Sequence, residues 1–144
     1  MACAIPLPVA AFRPFAAALL AGLALGACTQ AGEGSHLRNS HWRFVTIDGK
    51  QPMSDAADMR FENGRIGVIV GCNRMGGPWR VSADRLVAGP LNQSETACPA
   101  PAWDQEKAVG ALLAATPRMV MEQDRMTLQS SGHTAELIRV SRPD

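Results

Sequence analysis

The sequence predicts a mainly β domain of α+β type: a small antiparallel β-barrel-like or strongly curled sheet of about eight short strands, with one helix packed against it. Three observations point there. Asn63-Gly64 separates two alternating runs, Asp58 to Glu62 and Arg65 to Val70, and that dipeptide is the strongest short-range hairpin signal. Arg118 to Glu122, Met126 to Gln129 and Thr134 to Val140 are divided by Gln123-Asp124-Arg125 and Ser130-Ser131-Gly132-His133, both turn compositions, so the chain ends in a three-stranded meander. Between these β-rich parts lies one stretch of helical period, Ala102 to Ala115, which Pro117 stops. A sheet of this many strands closes or curls, because an open one leaves unpaired edges.

In chain order, His41-Trp42-Arg43-Phe44-Val45-Thr46-Ile47 reads as the first strand, with Trp42 as a core anchor and Asp48-Gly49 as its turn. Residues 51–57, with Pro52, are loop. After the Asn63-Gly64 hairpin, Ile69-Val70 runs into Gly71-Cys72-Asn73-Arg74-Met75-Gly76-Gly77-Pro78-Trp79. This reads as a glycine-rich turn in which Gly71, Gly76 and Gly77 adopt conformations a side chain would forbid, Asn73 bonds its own turn, and Pro78 sets the re-entry into the next strand. A structural turn is the expectation and a ligand-binding loop the alternative. The spacing is neither Walker nor dinucleotide, and a strand rather than a helix follows, which disfavours a phosphate cradle.

Pro78 to Val81 and Arg85 to Ala88 flank Ser82-Ala83-Asp84 as a second hairpin, and residues 89–101, with Pro90, Pro99 and Pro101, form a connecting loop. In the helix, Trp103, Glu106, Val109, Gly110 and Leu113 share one side. Trp103, Val109, Leu112 and Leu113 are expected to face the sheet, Glu106 interrupts the stripe, and Gly110 costs about 1 kcal/mol against alanine.

The N-terminal part has a different character. Phe15 to Leu25 is apolar and uncharged but shorter than the roughly 20 residues a membrane-spanning helix needs, so it reads as an export signal. It ends in Leu25-Gly26-Ala27-Cys28, which resembles the lipobox of bacterial lipoprotein signal peptides, a plain signal peptide being the alternative. The resemblance implies a signal peptide over residues 1–27, with lipid attached at Cys28. Acyl chains on that cysteine would anchor the protein, stably if two or more are present. Thr29 stands where an aspartate would favour the inner membrane, which implies the periplasmic face of the outer membrane. Residues 28–39 are expected to be a flexible tether, and residues 40–144 the folded domain.

Loss of the signal removes Arg13. The 14 Lys+Arg and 13 Asp+Glu of the whole sequence then become equal, and no basic excess remains for nucleic-acid phosphates. Of the four cysteines, Cys3 leaves with the signal and Cys28 takes the lipid, so Cys72 and Cys98 remain as a pair in an oxidising compartment. A disulfide is expected. Two free thiols or a metal site are the alternatives, and neither has a CxxC or a nearby histidine pair behind it.

With these residues in place, the chain resembles the META domain family, which includes HslJ-like heat-shock lipoproteins. The resemblance rests on Trp42, on Ile47-Asp48-Gly49, and on Gly71-Cys72-Asn73 followed by Gly77 and Trp79. It rests also on Ser94-Glu95-Thr96-Ala97-Cys98-Pro99, which keeps the family's second cysteine but has Ser94 and Thr96 where threonine and methionine are usual. It covers about residues 40 to 140. It implies a small antiparallel barrel-like sheet with a packed helix, and a family in which some members are stress-inducible envelope proteins.

Catalytic residues, cofactors and a resident metal are not expected. His36, His41 and His133 fall in the tether, at a strand edge and in a turn, and read as solvated, while Ser94, Glu95 and Thr96 read as ordinary loop residues. Met119 and Met121 share a strand face with Met126 opposite and Met75 near the cysteine turn. They offer soft ligands for Cu(I), although core filling is the more economical reading. The expected function is a non-enzymatic, protective or quality-control role in the envelope through contact with an envelope protein or the membrane. A ligand-binding barrel and, more weakly, a Cu(I)-binding or hydrolase-inhibiting protein are the alternatives.

Overall fold

Alternation along the chain becomes an inside and an outside of one closed sheet. The computed structural model describes residues 33–141, so the signal segment and Cys28 lie outside the described residues. The elements are α1 (Glu33–Leu37), β1 (Ser40–Ile47), β2 (Asp58–Glu62), β3 (Arg65–Ile69), β4 (Arg74–Ser82), β5 (Arg85–Ala88), β6 (Asn92–Gln93), α2 (Ala102–Ala114), β7 (Arg118–Glu122), β8 (Arg125–Gln129) and β9 (Thr134–Arg139). Strands neighbour one another in the order β3-β2-β1-β9-β8-β7-β5-β4-β6, all antiparallel. A further β3–β4 pairing closes eight of them into a barrel and leaves β6 as an addition outside β4.

The β2–β3 hairpin turns at Asn63 and Gly64, both at positive φ, as the two-residue turn requires. The terminal meander places Met119 opposite Leu128, Leu128 opposite Ala135 and Met126 opposite Leu137, so one face of each strand is apolar and buried. The barrel axis is filled by side chains, with Trp42, Met59, Phe61, Met126, Leu128 and Leu137 all fully enclosed. Trp79 stands edge-on to Phe61, ring centroids 4.8 Å apart, and is half-buried. Between β5 and β7 the pairing narrows to Arg85 opposite Arg118, helped by Leu86 N–H donating to the Pro117 carbonyl and Met119 N–H to that of Asp84.

The glycine-rich stretch departs from its expected form. The turn is confined to Gly71-Cys72-Asn73, and Gly76, Gly77 and Pro78 lie inside β4. Gly71, Gly76 and Gly77 all have negative φ; what they supply is room. A Cβ at Gly77 would collide with the Pro90 carbonyl, where the chain leaving β5 crosses over β4.

Helix α2 closes the barrel end where β1 finishes and β4 begins, burying Ala108, Val109, Leu112 and Leu113. Trp103, expected on that face, is 39% exposed under Lys107, whose Nζ lies 5.7 Å from the ring centroid. The buried positions centre on Val109, and at about 100° per residue Trp103 falls roughly 120° away from them.

Of the segment expected as a tether, residues 28–32 lie outside the described residues and the rest is folded. Residues 33–39 belong to the fold: Leu37 is fully buried, Arg139 donates to the His36 carbonyl, and Ser40 Oγ, which donates to the Leu37 carbonyl, accepts from Trp42 Nε1. Leu37 gives this polar stretch the apolar group that covers the end of the barrel opposite α2.

Two histidines expected to be solvated remain partly open to solvent, 33% and 35% exposed, and each also meets a carboxylate. His41 meets Asp58, which Arg60 also binds, and His133 Nδ1 meets Asp48 Oδ2 at 2.8 Å. Asp48 Oδ1 accepts Thr134 N–H at 2.9 Å, so this carboxylate ties the β1 turn to the start of β9. Burial pushes the Asp48 carboxyl up, but the Thr134 N–H, the His133 imidazole and Lys50 together hold it below its ordinary 3.8. A depressed folded-state pKa contributes stability above the ordinary value and loses it as pH falls through the folded one. Thermal midpoints of the protein and of Asp48→Asn should therefore differ at pH 7, with the protein higher, and the gap should close as pH drops below 3.8.

Gly110 gives a second test. Its φ is helical, and an added Cβ would meet Met75 Sδ at 3.6 Å, an ordinary contact. Gly110→Ala should raise unfolding stability by about 0.5–1 kcal/mol in a denaturant titration.

Candidate functional site

The most elaborate polar arrangement lies where β3 hands over to β4. Val70 is fully buried, and the chain turns through Gly71, Cys72 and Asn73 beneath the first turns of α2. Glu106 projects from α2 into this turn and is 1% exposed. Its Oε2 accepts the N–H groups of Cys72 at 3.1 Å and Asn73 at 3.0 Å, and its Oε1 accepts Asn73 Nδ2 at 2.8 Å and Gln93 Nε2. Four donors converge on two oxygens, and among the side chains only a carboxylate has two acceptor oxygens on one carbon.

Asn73, also 1% exposed, uses the rest of its amide on the loop after β6. Nδ2 donates to the Thr96 carbonyl at 3.0 Å, while Oδ1 accepts Ser94 Oγ at 2.9 Å and Thr96 N–H at 2.6 Å. The expectation that Asn73 bonds its own turn is thus corrected: the turn lies too far inside the fold, and its partners come from residues 94–96 and 106. Ser94 Oγ also accepts Arg74 N–H at 3.1 Å.

The Cys72–Cys98 disulfide joins the same turn to the same loop across 26 residues of sequence, with Cα atoms 5.5 Å apart. A closed loop of that length restricts the unfolded chain by about 3.5 kcal/mol in the entropic model. Gly71 completes the arrangement, since a Cβ there would stand 2.8 Å from both the Ala102 carbonyl and Glu106 Oε2, too close for α2 to stay seated.

Of the five motif residues singled out in the sequence, Gly71, Cys72 and Asn73 come together here. Gly77 lies further along β4 under Pro90, and Trp79 stands toward the other end of the barrel against Phe61. Glu106, Gln93, Ser94 and Thr96 complete the cluster; Ser94 and Thr96 stood out only as part of the second cysteine segment and read as ordinary loop residues, while Glu106 left a signal as an acid in the middle of an apolar stripe.

A surface groove of about 590 Å³ runs over this cluster between Gln93, the 94–98 loop and Trp103. The amide of Asn73 and the hydroxyl of Ser94 are already spent within the cluster, while the Glu95 carboxylate and the Thr96 hydroxyl remain on its outer side. Ser94 Oγ bonds an amide oxygen and a backbone N–H, and the described partners of His41 and His133 are carboxylates elsewhere. Chemically the arrangement is a clamp that holds turn, loop and helix together.

The four methionines that could offer soft ligands belong to the core. Met75, Met119 and Met126 are buried in the core and Met121 packs against it. Their thioethers fill space between apolar side chains. Among the described residues no group of three or more His, Cys, Asp or Glu is placed to hold a metal ion.

These features define a small closed antiparallel barrel, stopped at one end by a helix whose buried carboxylate clamps a disulfide-tied turn. Residues 35–142 match the model of the META domain, and the chain belongs to that family. The META domain is not a known enzyme family. Two similar structures are known from NMR. One is 19% identical, covering 74% of this chain and 93% of its own, with a TM-score of 0.66. The other, a protein from Burkholderia xenovorans, is 21% identical, covering 76% and 87%, with a TM-score of 0.62. At these identities the likeness shows the fold alone. No curated protein matches the chain in sequence.

Replacing Glu106 tests the clamp. Glu106→Ala leaves buried donors unpaired and should cost about 3 kcal/mol or more of unfolding free energy. Glu106→Gln should lose most of that amount as well, because its NH₂ would face two donors. Equilibrium denaturation of both variants checks this, and a near-native Gln variant would count against the four-donor account.

Proposed function

We propose that this chain is a lipid-anchored envelope protein, held at the periplasmic face of the outer membrane through Cys28. Its META barrel would serve a non-enzymatic role in protection or quality control of the envelope under heat or related stress. The observation that carries the reading is the Cys72–Cys98 disulfide, a cross-link that persists where thiols are not kept reduced. Two further points support it. The Leu25-Gly26-Ala27-Cys28 segment resembles a lipobox, and Glu33 opens the fold five residues after Cys28.

The filled interior determines how such a protein would act. Trp42, Phe61 and Leu128, which would line an open barrel mouth, are fully enclosed. Contact with an envelope protein or with the membrane therefore uses the outer surface, and the balanced charge of the chain gives nucleic acid no purchase.

Expression of the full chain in a Gram-negative host tests the address and the role together. The protein should fractionate with the outer membrane, and Cys28→Ser should move it to the soluble periplasmic fraction. Crosslinking in intact cells should capture an envelope partner. Identical fractionation of the two forms would remove the anchor, and turnover of a small molecule by the purified protein would reverse the non-enzymatic reading.

A further inference from the structure

The end of the barrel that carries α1 holds a second groove, of about 570 Å³, between the chain leaving α1, the β2–β3 turn and the second half of β4. Its wall is built of donors. Arg38 follows α1, Arg80 belongs to β4, and the carboxamide residues Asn39 and Asn63 lie between them in the lining. Among the described residues no acidic side chain lines it. Of the arginines nearby, Arg60 pairs with Asp58 and Arg139 with Asp124, while Arg65, which follows Gly64 of the lining, adds a further guanidinium unpartnered among the described residues. Arg38 and Arg80 have no hydrogen-bond or ion-pair partner among the described residues.

The aromatic side of the groove shows the same imbalance. Trp79 contributes to the lining, its ring against the enclosed Phe61, and its buried indole N–H lacks an acceptor among the described residues. Two unpaired guanidiniums and two carboxamides in one lining call for a ligand made of acceptor oxygens carrying negative charge. A phosphate group meets that need, because its several oxygens allow two planar guanidinium forks to bind at once.

We propose that this groove is a phosphate-binding site. A phospholipid headgroup or a free phosphate ester would supply the same chemistry. The headgroup source rests on the lipid-anchor reading: five residues from Cys28 to Glu33 reach at most roughly 18 Å, which would hold this end of the barrel near the bilayer surface. The site itself does not depend on the anchor.

Glycerol 3-phosphate, titrated into the purified full chain carrying Cys28→Ser at constant ionic strength, tests the site without any lipid. The indole N–H resonance of Trp79 should shift with saturation, Arg38→Ala and Arg80→Ala should each weaken binding about tenfold, and the double variant should abolish it. Both arginines are on the surface, so thermal midpoints of the variants should stay unchanged and separate lost binding from lost folding. No shift, a shift reproduced by sodium chloride alone, or a shift surviving in the double variant overturns the proposal. Vesicles of phosphatidylglycerol and phosphatidylcholine then separate the sources. Sedimentation with them that glycerol 3-phosphate competes away, and that the double variant loses, assigns the site to headgroups. Glycerol 3-phosphate binding without vesicle binding assigns it to soluble phosphate esters and removes the headgroup source.

Discussion

A carboxylate shut away from water must find donors before the fold can close around it, and Glu106 imposes that condition here. Its two oxygens take four donors from the 71–73 turn, Asn73 and Gln93, so the seat of helix α2 depends on the shape of both turn and loop. Asn73 extends the dependence to residues 94–96, and the disulfide repeats the same connection covalently on the outer side. Three segments distant in sequence thereby become one unit. Gly71 is required for a negative reason: any side chain would push the carboxylate and the helix away together.

Local pattern made much of the fold legible. Asn63-Gly64 and the two terminal turns announced their hairpins because strand alternation and turn chemistry act over a few residues. What went astray depended on distant partners. Gly76 and Gly77 looked like turn residues, yet they serve a strand over which the 89–91 segment passes closely. Trp103 looked like a packing residue until the inward face of α2 was fixed by Val109 and its neighbours. Leu37 lay in a segment too short and polar to read as structure. Within the site, Gly71, Cys72 and Asn73 were visible as a motif, but their use was not, because hydrogen bonds to residues 96 and 106 leave no periodic trace. The interruption of the apolar stripe at Glu106 was the one legible hint.

The two ends of the barrel are built on opposite principles. At the α2 end, donors and acceptors match almost one for one, and the result is rigidity. At the α1 end, arginines and an indole N–H are left over while the apolar closure is supplied by Leu37. The groove proposed to take a phosphate group therefore lies at the end where cationic side chains go unpartnered, beside α1.

The narrow contact between β5 and β7 carries its own consequence. Elsewhere around the ring neighbouring strands share four or five register positions, while here one pair and two flanking backbone bonds complete the circle. A ring held shut at such a latch parts there first when thermal motion strains it. Parting would bare two strand rims at once, each able to recruit a rim from another copy. The ion pair between Arg118 and Asp84 and the Arg85 bond to the Thr116 carbonyl straddle that join, placing charge where sticky backbone would otherwise emerge.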